Sequence, residues 1–102
     1  MRPERVFAAL GDQTRLRIVS RLGERGRLSI ARLTEGTRLT RQAIAKHLRV
    51  LEDAGLVRSA WHGRENFFQL EVERLKEAQH FLERRSQQWD SALHRLRKFV
   101  ER

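Results

Sequence analysis

The chain has 102 residues, with 22 Lys and Arg against 13 Asp and Glu, so its formal net charge at pH 7 is +9. This length suits one domain with one modest core, and the excess of positive charge favours a polyanionic partner such as nucleic acid. The absence of cysteine excludes disulfides and thiolate metal sites, and no apolar run approaches the roughly 20 residues that a membrane span requires.

Two short helices are predicted at the start of the chain. The first covers residues 3–10, because proline suits the first turn of a helix, where its missing N–H is not needed. Its apolar side carries Val6 and Phe7. The second helix runs over about residues 14–22, and residues 23–26 are predicted to form a turn.

Residues 29–56 are predicted to form two helices joined by a tight turn, the second helix being longer and more basic. Leu28 is expected to make a brief extended contact before Ser29 caps the first of these helices. Gly36 lies at the turn, where glycine tolerates positive φ, and Thr40 is a suitable N-cap for the second helix. Three aliphatic residues recur at helical spacing on the buried face of that second helix: Ile44, Leu48 and Leu51.

The solvent face of the second helix carries Arg41, Gln42, Lys46 and Arg49. A helix whose apolar face is buried and whose exposed face carries such residues has the pattern of a DNA recognition helix. An ordinary helical hairpin with a solvated basic face has the same pattern. We expect Arg41 and Gln42 to reach base edges in the major groove, since arginine can donate two hydrogen bonds to guanine and glutamine can pair with adenine. Lys46 and Arg49 would meet bases or phosphate.

Two other residues of this region have two candidate roles each. Thr40 can both cap the helix and contact phosphate. His47 lies beside the buried stripe, where a packed, hydrogen-bonded histidine is as reasonable as a phosphate contact. Arg15 and Arg17, on the preceding helix, are interpreted as structural or solvated rather than DNA-bound.

A two-stranded hairpin, or wing, is predicted directly after the recognition helix. Residues 56–62 and 65–70 are rich in Val, Trp and Phe and flank a glycine, Gly63, at the tip. Arg64 at this tip can enter a minor groove or meet phosphate, and His62 beside it is a candidate for the same role. In the alternative, the hairpin only closes the core and Arg64 is solvated.

One long amphipathic helix is predicted over residues 72–101, which contain no Gly or Pro. Its apolar stripe is too long for so small a core to cover, so we expect a second copy of the chain to cover it. In the alternative, part of the stripe packs back on Phe7 and the first helix. The residues predicted at the dimer interface are Val6, Phe7, Leu75, Leu82, Trp89, Leu93, Leu96 and Val100.

Together these elements predict a mainly α fold with a small two-stranded antiparallel β wing, that is, a winged helix-turn-helix with a long C-terminal dimerisation helix. We expect a single domain over residues 1–102, with a DNA-binding core at 3–70 and the dimerisation helix at 72–101. The sequence holds no glycine-rich phosphate loop, hydrolase elbow or nucleophile with a neighbouring base, so we predict no catalytic residue and no enzyme activity.

Several segments of the chain together resemble a known family. They read FAALGD at 7–12, TRLRI at 14–18, LTRQAIAKHL at 39–48, VLEDAGLV at 50–57 and GRE at 63–65. This arrangement is similar to the ArsR/SmtB family of bacterial winged-helix repressors, which bind operator DNA as homodimers. The resemblance covers roughly residues 4–70 and implies repression by occupancy of an inverted-repeat operator. Because the first residues lack a hydrophobic signal core, we expect the protein in the cytoplasm, associated with the nucleoid.

Many members of that family sense metals, and here the sequence departs from the family pattern. Residues 29–36 hold no cysteine pair, and His80 and His94 do not reproduce the Asp, His, His and Glu spacing of the zinc site on the last helix. The long helix with Trp89 resembles a cysteine-free branch of the family. We therefore predict no metal site and no cofactor, and we leave the class of any effector, small molecule or protein, open.

Two other functions fit parts of the pattern. A non-specific nucleic-acid-binding or chromatin-associated protein would explain the charge and the winged helix. It explains less well why Gln42 is among the exposed residues of the predicted recognition helix. Competition between operator and random DNA separates this function from that of a specific regulator. A protein-interaction module that uses the wing or the long helix would keep its function after Arg41 and Arg64 are neutralised.

Overall fold

The computed structural model describes residues 2–101, so the predicted domain bounds at residues 1 and 102 lie outside the described residues. The elements follow one another as α1 (Pro3–Leu10), α2 (Gln13–Arg25), β1 (Leu28–Ser29), α3 (Ile30–Thr34), α4 (Arg41–Asp53), β2 (Val57–His62), β3 (Glu65–Leu70) and α5 (Val72–Val100). This mainly helical architecture, with a small antiparallel sheet and a long last helix, confirms the predicted fold class.

The sheet of the described chain has three strands in the order β1-β3-β2, and both pairings are antiparallel. Strands β2 and β3 form the predicted wing, with His62 opposite Glu65 beside the tip. Strand β1 extends the predicted two-stranded wing by a third strand, in which Leu28 pairs with Phe68 and confirms the expected extended contact. A strand of two residues is too short to show an alternation of apolar and polar side chains, so the sequence indicated the extended contact of Leu28 but not the pairing of this strand with β3.

Helix α2 is longer than predicted, and the predicted turn at residues 23–26 is wrong. The Oδ2 of Asp12 accepts the N–H of Arg15 at 3.0 Å and so caps the start of α2. The helix then continues through Gly23, where an added Cβ would lie 3.6 Å from Cδ1 of Leu70. Glycine inside a helix costs only about 1 kcal/mol relative to alanine, and the packing of α2 on the sheet outweighs that cost.

The core lies between α1, α2, α4 and the inner face of the sheet. Its buried apolar residues are Val6, Ala9, Ile18, Leu22, Leu33, Ile44, Leu48, Leu51, Leu56, Val57, Phe68 and Ala78. Full burial of one large aliphatic side chain contributes about 1.5–3 kcal/mol, so this core holds α4 against the rest of the domain. Val6 is 1% exposed within one chain because α1 turns it into the core, so a partner subunit cannot reach it. Val6 is therefore removed from the predicted dimer interface.

Helix α5 leaves the body of the molecule after its first turns. Ala78 is buried, Leu75 packs against the core, and the ring centroid of Phe81 lies 5.8 Å from that of Phe7. The first part of the stripe thus packs back on α1, as the alternative prediction had it. The described residues extend over 68 × 26 × 21 Å, and the 29 residues of α5 account for about 44 Å at 1.5 Å per residue.

Candidate nucleic-acid interface

Helix α4 is fixed at its start and from behind. The Oγ1 of Thr40 accepts the N–H of Ala43 at 3.1 Å, which confirms the predicted N-cap. The aliphatic face behind the helix is buried, with Ile44, Leu48 and Leu51 at most 1% exposed. The first turns of α4 therefore present a fixed set of side chains to solvent.

A Schellman motif ends α4. The N–H of Gly55 donates to the carbonyl of Glu52, and the N–H of Leu56 donates to the carbonyl of Leu51, both at 2.9 Å. Gly55 has a φ of +78°, a conformation that glycine adopts without a steric penalty. Because this turn leads directly into β2, it sets the angle between α4 and the wing.

The end of α3 is held by an arginine that no sequence pattern singled out. Arg21 donates from Nη1 to the carbonyl of Leu33 at 2.9 Å and from Nη2 to the carbonyl of Arg32 at 2.8 Å. The last carbonyls of a helix have no helical N–H left to accept, so the guanidinium satisfies them. Ser29 caps the other end of α3 as predicted, since its Oγ accepts the N–H of Arg32 at 3.2 Å. A side chain that donates to backbone carbonyls has no partner that a sequence pattern can identify, so this contact of Arg21 could not be predicted.

The four residues of α4 that are predicted to contact DNA share one side of the helix. Arg41, Gln42, Lys46 and Arg49 are all exposed to solvent. Within residues 2–101, none of these four side chains forms a hydrogen bond or an ion pair, so their polar groups are available to a partner. The structure brings the four candidate residues together, and their contact with DNA stays a prediction.

His47 differs from these four residues because it packs against α2. Its Nδ1 lies 3.3 Å from Nη1 of Arg15 and 3.8 Å from Oδ2 of Asp12, and its side chain is 24% exposed. Arg15 also donates from Nε to the carbonyl of Ala9 at 2.6 Å, which confirms its structural role. The structure shows the packed contact of His47 with Arg15 and Asp12, while its contact with DNA stays a prediction.

This contact also involves the cap of α2. The hydrogen bond from the backbone N–H of Arg15 is the main cause that lowers the pKa of the Asp12 carboxyl below its ordinary value. The charge of Arg15 acts in the same direction, while partial desolvation opposes it. Asp12 thus joins the start of α2 to the middle of α4.

The wing presents its tip to solvent. Gly63 has a φ of +64°, and Arg64 beside it is exposed at the tip, as the hairpin pattern predicted. His62 is exposed as well, but its Nε2 lies 2.6 Å from Nη1 of Arg27, in the loop between α2 and β1. The structure gives Arg64 an open position and gives His62 a basic neighbour that the sequence pattern did not predict.

The distal half of α5 carries an exposed apolar stripe, at residues 82–100. Five predicted interface residues are each more than half exposed within one chain: Leu82, Trp89, Leu93, Leu96 and Val100. Phe99 widens this stripe. Large contiguous apolar surfaces are rare on soluble monomers and mark interaction sites. The stripe is therefore open to a second copy, whereas Phe7 and Leu75 are partly covered by their own chain.

In the part of the chain that the structure describes, no group of three or more His, Cys, Asp or Glu side chains is placed to hold a metal ion. His80 on α5 has Nδ1 3.5 Å from Oε2 of Glu83, and this exposed pair offers two ligands. None of the helices between residues 2 and 101 combines the length and the apolarity needed to cross a membrane.

A helical scaffold that presents the exposed start of one helix beside a β wing defines the class of winged helix-turn-helix proteins. Residues 10–60 match the model of a family described as "Helix-turn-helix domain". The solved structure of an ArsR-like transcriptional regulator from Rhodococcus sp. RHA1 is similar to this chain, with a TM-score of 0.83 and 38% sequence identity. The similarity covers 95% of this chain and 91% of that one.

Two bacterial relatives agree with this class. YuzN of Bacillus subtilis, described as an uncharacterized HTH-type transcriptional regulator, is 51% identical over 58% of this chain and 71% of its own length. The arsenical resistance operon repressor of Bacillus subtilis is 36% identical over 69% of this chain and 67% of its own length. The chain therefore belongs to the ArsR/SmtB family of helix-turn-helix transcriptional regulators. This membership confirms the prediction that it is a transcriptional regulator and not an enzyme.

Proposed function

We propose that the protein is a homodimeric repressor that binds an inverted-repeat operator in double-stranded DNA. The observation that carries the proposal is the exposed basic and amide face of α4, held over a buried back of Ile44, Leu48 and Leu51. A helix fixed in this way enters a major groove with little ordering cost, because its backbone is already in place. The relative from Bacillus subtilis that is named a repressor supports the same direction of control.

Each candidate residue has a role in this proposal. Arg41 and Gln42 read base edges in the major groove, while Lys46 and Arg49 contact bases or phosphate further along α4. Arg64 at the tip of the wing enters the minor groove or contacts phosphate. The net charge of +9 supports this assignment, because each phosphate that a cation neutralises releases counterions from the DNA.

The proposal divides the chain between two tasks. Residues 3–70 bind DNA, and residues 72–101 join two copies through the exposed stripe on α5. A twofold axis places the two α4 helices in successive major grooves, about one helical turn or ~34 Å apart. A dimer bound in this way over a promoter excludes polymerase by occupancy.

Release from DNA would follow from an effector that distinguishes two geometries of the dimer. Any inducer must bind the DNA-competent geometry more weakly than another one. The chain has no cysteine, so a thiolate site cannot hold such an inducer. We place the regulator where its operator is, in the cytoplasm at the nucleoid.

Selection of bound duplexes from a random DNA pool, together with the molar mass of the free protein and of the complex, tests the proposal. We expect an enriched sequence with two inverted half-sites one helical turn apart, bound by two copies. Arg41→Ala and Arg64→Ala should each weaken binding to the selected operator. Arg25→Ala is the matched control, because Arg25 is exposed at the end of α2 and has the same charge.

Two other outcomes would favour the alternative functions. Equal affinity for selected and random DNA at physiological salt would indicate a non-specific nucleic-acid-binding or chromatin-associated protein. Unchanged function after Arg41 and Arg64 are both neutralised would indicate a protein-interaction module.

A further inference from the structure

Two basic side chains are held together beside the wing, on one face of the sheet. Nη1 of Arg27 lies 2.6 Å from Nε2 of His62, and the Cζ of Arg27 lies 5.0 Å from the ring centroid of Phe67. The rings of His62 and Phe67 meet edge to face, with their centroids 5.6 Å apart. Arg27 comes from the loop between α2 and β1, whereas His62 and Phe67 come from β2 and β3. Three separate segments therefore build this cluster around one aromatic ring.

The hydrogen-bonding chemistry of Arg27 determines the role of the His62 imidazole in their contact. A guanidinium can only donate, so Nε2 of His62 is the acceptor in this contact. The remaining N–H donors of Arg27 make no other hydrogen bond within residues 2–101, and both side chains are exposed. The cluster thus offers a stacked, oriented guanidinium with spare donors beside a ring that can gain a proton.

We propose that Arg27 and His62 form a second phosphate-binding site for the operator, beside the tip of the wing, and that His62 takes up a proton when this site is filled. The inference rests on the proposed function, because it requires that the wing meets DNA. A phosphate can accept two parallel hydrogen bonds from a guanidinium and a third from an imidazolium. Arg64 lies two residues beyond His62, so the two sites would meet neighbouring parts of one DNA backbone.

The coupling to a proton follows from the charges that surround His62. Without an anion, a protonated His62 is repelled by Arg27 and Arg64, while Glu65, its partner across the hairpin, attracts it. A phosphate between the two cations replaces that repulsion by two attractions. Protonation of His62 and binding of phosphate therefore favour each other, and by linkage the DNA affinity must rise as the pH falls through the range in which histidine titrates.

The salt dependence of operator binding tests the phosphate contact. We would measure the affinity of the full chain for the selected duplex by fluorescence anisotropy over a series of salt concentrations. Arg27→Gln should make the slope of log affinity against log salt less negative by about 0.9 for each protomer that loses a phosphate contact. The control is Arg25→Gln, because it removes the same charge two residues away at an exposed position. Equal slopes for Arg27→Gln and Arg25→Gln would overturn the site.

The pH dependence of binding tests the role of His62. At constant ionic strength, the unaltered protein should bind the operator roughly fivefold or more tightly at pH 6 than at pH 8. His62→Gln should remove most of this difference, whereas His80→Gln, at an exposed position of α5, should keep it. A pH dependence that survives in His62→Gln, or that is absent from the unaltered protein, contradicts the proton coupling.

The outcomes separate this inference from the proposed function. Failure of the unaltered protein to bind any duplex would overturn both. Specific operator binding by the unaltered protein, together with Arg27→Gln that behaves like Arg25→Gln, would overturn only the second phosphate site. Circular dichroism of each variant guards against misfolding, which we do not expect because Arg25, Arg27 and His62 are all exposed.

Discussion

Two glycines show how one residue type serves opposite purposes in this chain. Gly23 lies inside α2 with ordinary helical geometry, and a Cβ there would make a normal contact 3.6 Å from Cδ1 of Leu70. Gly55 has a φ of +78° in the turn that ends α4, and a Cβ there would meet Nε of Arg74 at 3.0 Å. The first glycine is therefore replaceable, whereas the second is required by the backbone.

Alanine at these two positions should change stability in opposite directions. Gly23→Ala should raise the free energy of unfolding by about 1 kcal/mol, because alanine loses less backbone entropy in a helix. Gly55→Ala should lower it by about 1–2 kcal/mol, because the left-handed conformation brings Cβ close to the next carbonyl oxygen. Urea unfolding followed by circular dichroism measures both changes. Destabilisation by Gly23→Ala would mean that the space beside Leu70 is tighter than the structure shows.

The carboxylate of Asp12 should make stability depend on acid pH. Its pKa is lowered in the folded chain, chiefly by the hydrogen bond from the N–H of Arg15. A lowered pKa means that the stabilisation is fully present above the pKa of the unfolded chain, near 4, and is lost as the pH falls through the lower folded value. We expect the unaltered protein to be more stable than Asp12→Asn at pH 7, and the difference to shrink below pH 4. An equal difference at both pH values would refute this linkage.

At the scale of elements, the sequence predicted those parts that are marked by local signals. Thr40 and Gly55 mark the two ends of α4, and the glycine at the tip marks the wing, so their bounds agree with the structure within a residue or two. The predicted end of α2 failed because Gly23 is a weak breaker, and its helical state depends on the packing of α2 against a strand far along the chain. Strand β1 has no pattern of its own, because two residues are too few to show one.

The candidate site also has one part that the sequence could predict and another part that it could not. The exposed positions of the DNA-contact candidates on α4 could be predicted, since helical spacing alone separates them from the buried stripe. The contacts of His47 could not, because they depend on Asp12 and Arg15 of another helix. The same applies to Arg27, whose partners lie on the wing. Local periodicity reports which side of a helix is buried, and it does not report what lies against that side.

Two substitutions on α4 should have different effects on recognition. Gln42→Ala should relax specificity at one base pair by roughly 1–3 kcal/mol, because glutamine pairs with the edge of adenine. Lys46→Ala, if Lys46 contacts phosphate, should weaken binding to all duplexes alike and reduce the salt slope by about 1. Both residues are exposed on the same face of α4, so each serves as the control for the other. Titration of the operator and of single-base variants distinguishes the two, and an unchanged base preference in Gln42→Ala would refute its assignment.

At the scale of the whole molecule, the elongated shape follows from α5, which is longer than the core that it packs against. The described residues extend over 68 Å in one direction and no more than 26 Å in the others. Beyond Phe81 nearly all the described residues of α5 are exposed, and the large apolar residues of its stripe at 82–100 are each more than half exposed. An isolated helix in water is marginal without tertiary packing, so a second copy would stabilise this segment as well as pair the two α4 helices.

Charge placed on that stripe should separate the two copies. Leu93→Glu together with Leu96→Glu puts two carboxylates where each leucine is more than half exposed, so the core of one chain is left intact. Gln87→Glu together with Ser91→Glu is the matched control, because it adds the same charge on the opposite side of α5, also at exposed positions. We expect the unaltered protein and the control to be dimers by sedimentation, and the stripe variant to be a monomer.

Tryptophan fluorescence gives an independent measure of the same event. In a Trp61→Phe background, Trp89 is the remaining tryptophan of the chain and lies within the stripe, where it is 69% exposed in a single copy. Burial in a dimer should shift its emission to shorter wavelength, and dilution or the stripe variant should reverse the shift. The monomer should also bind operator far more weakly, because the second half-site no longer benefits from being joined to the first. If the stripe variant keeps the mass, the emission and the operator affinity of the control, α5 does not join the two copies.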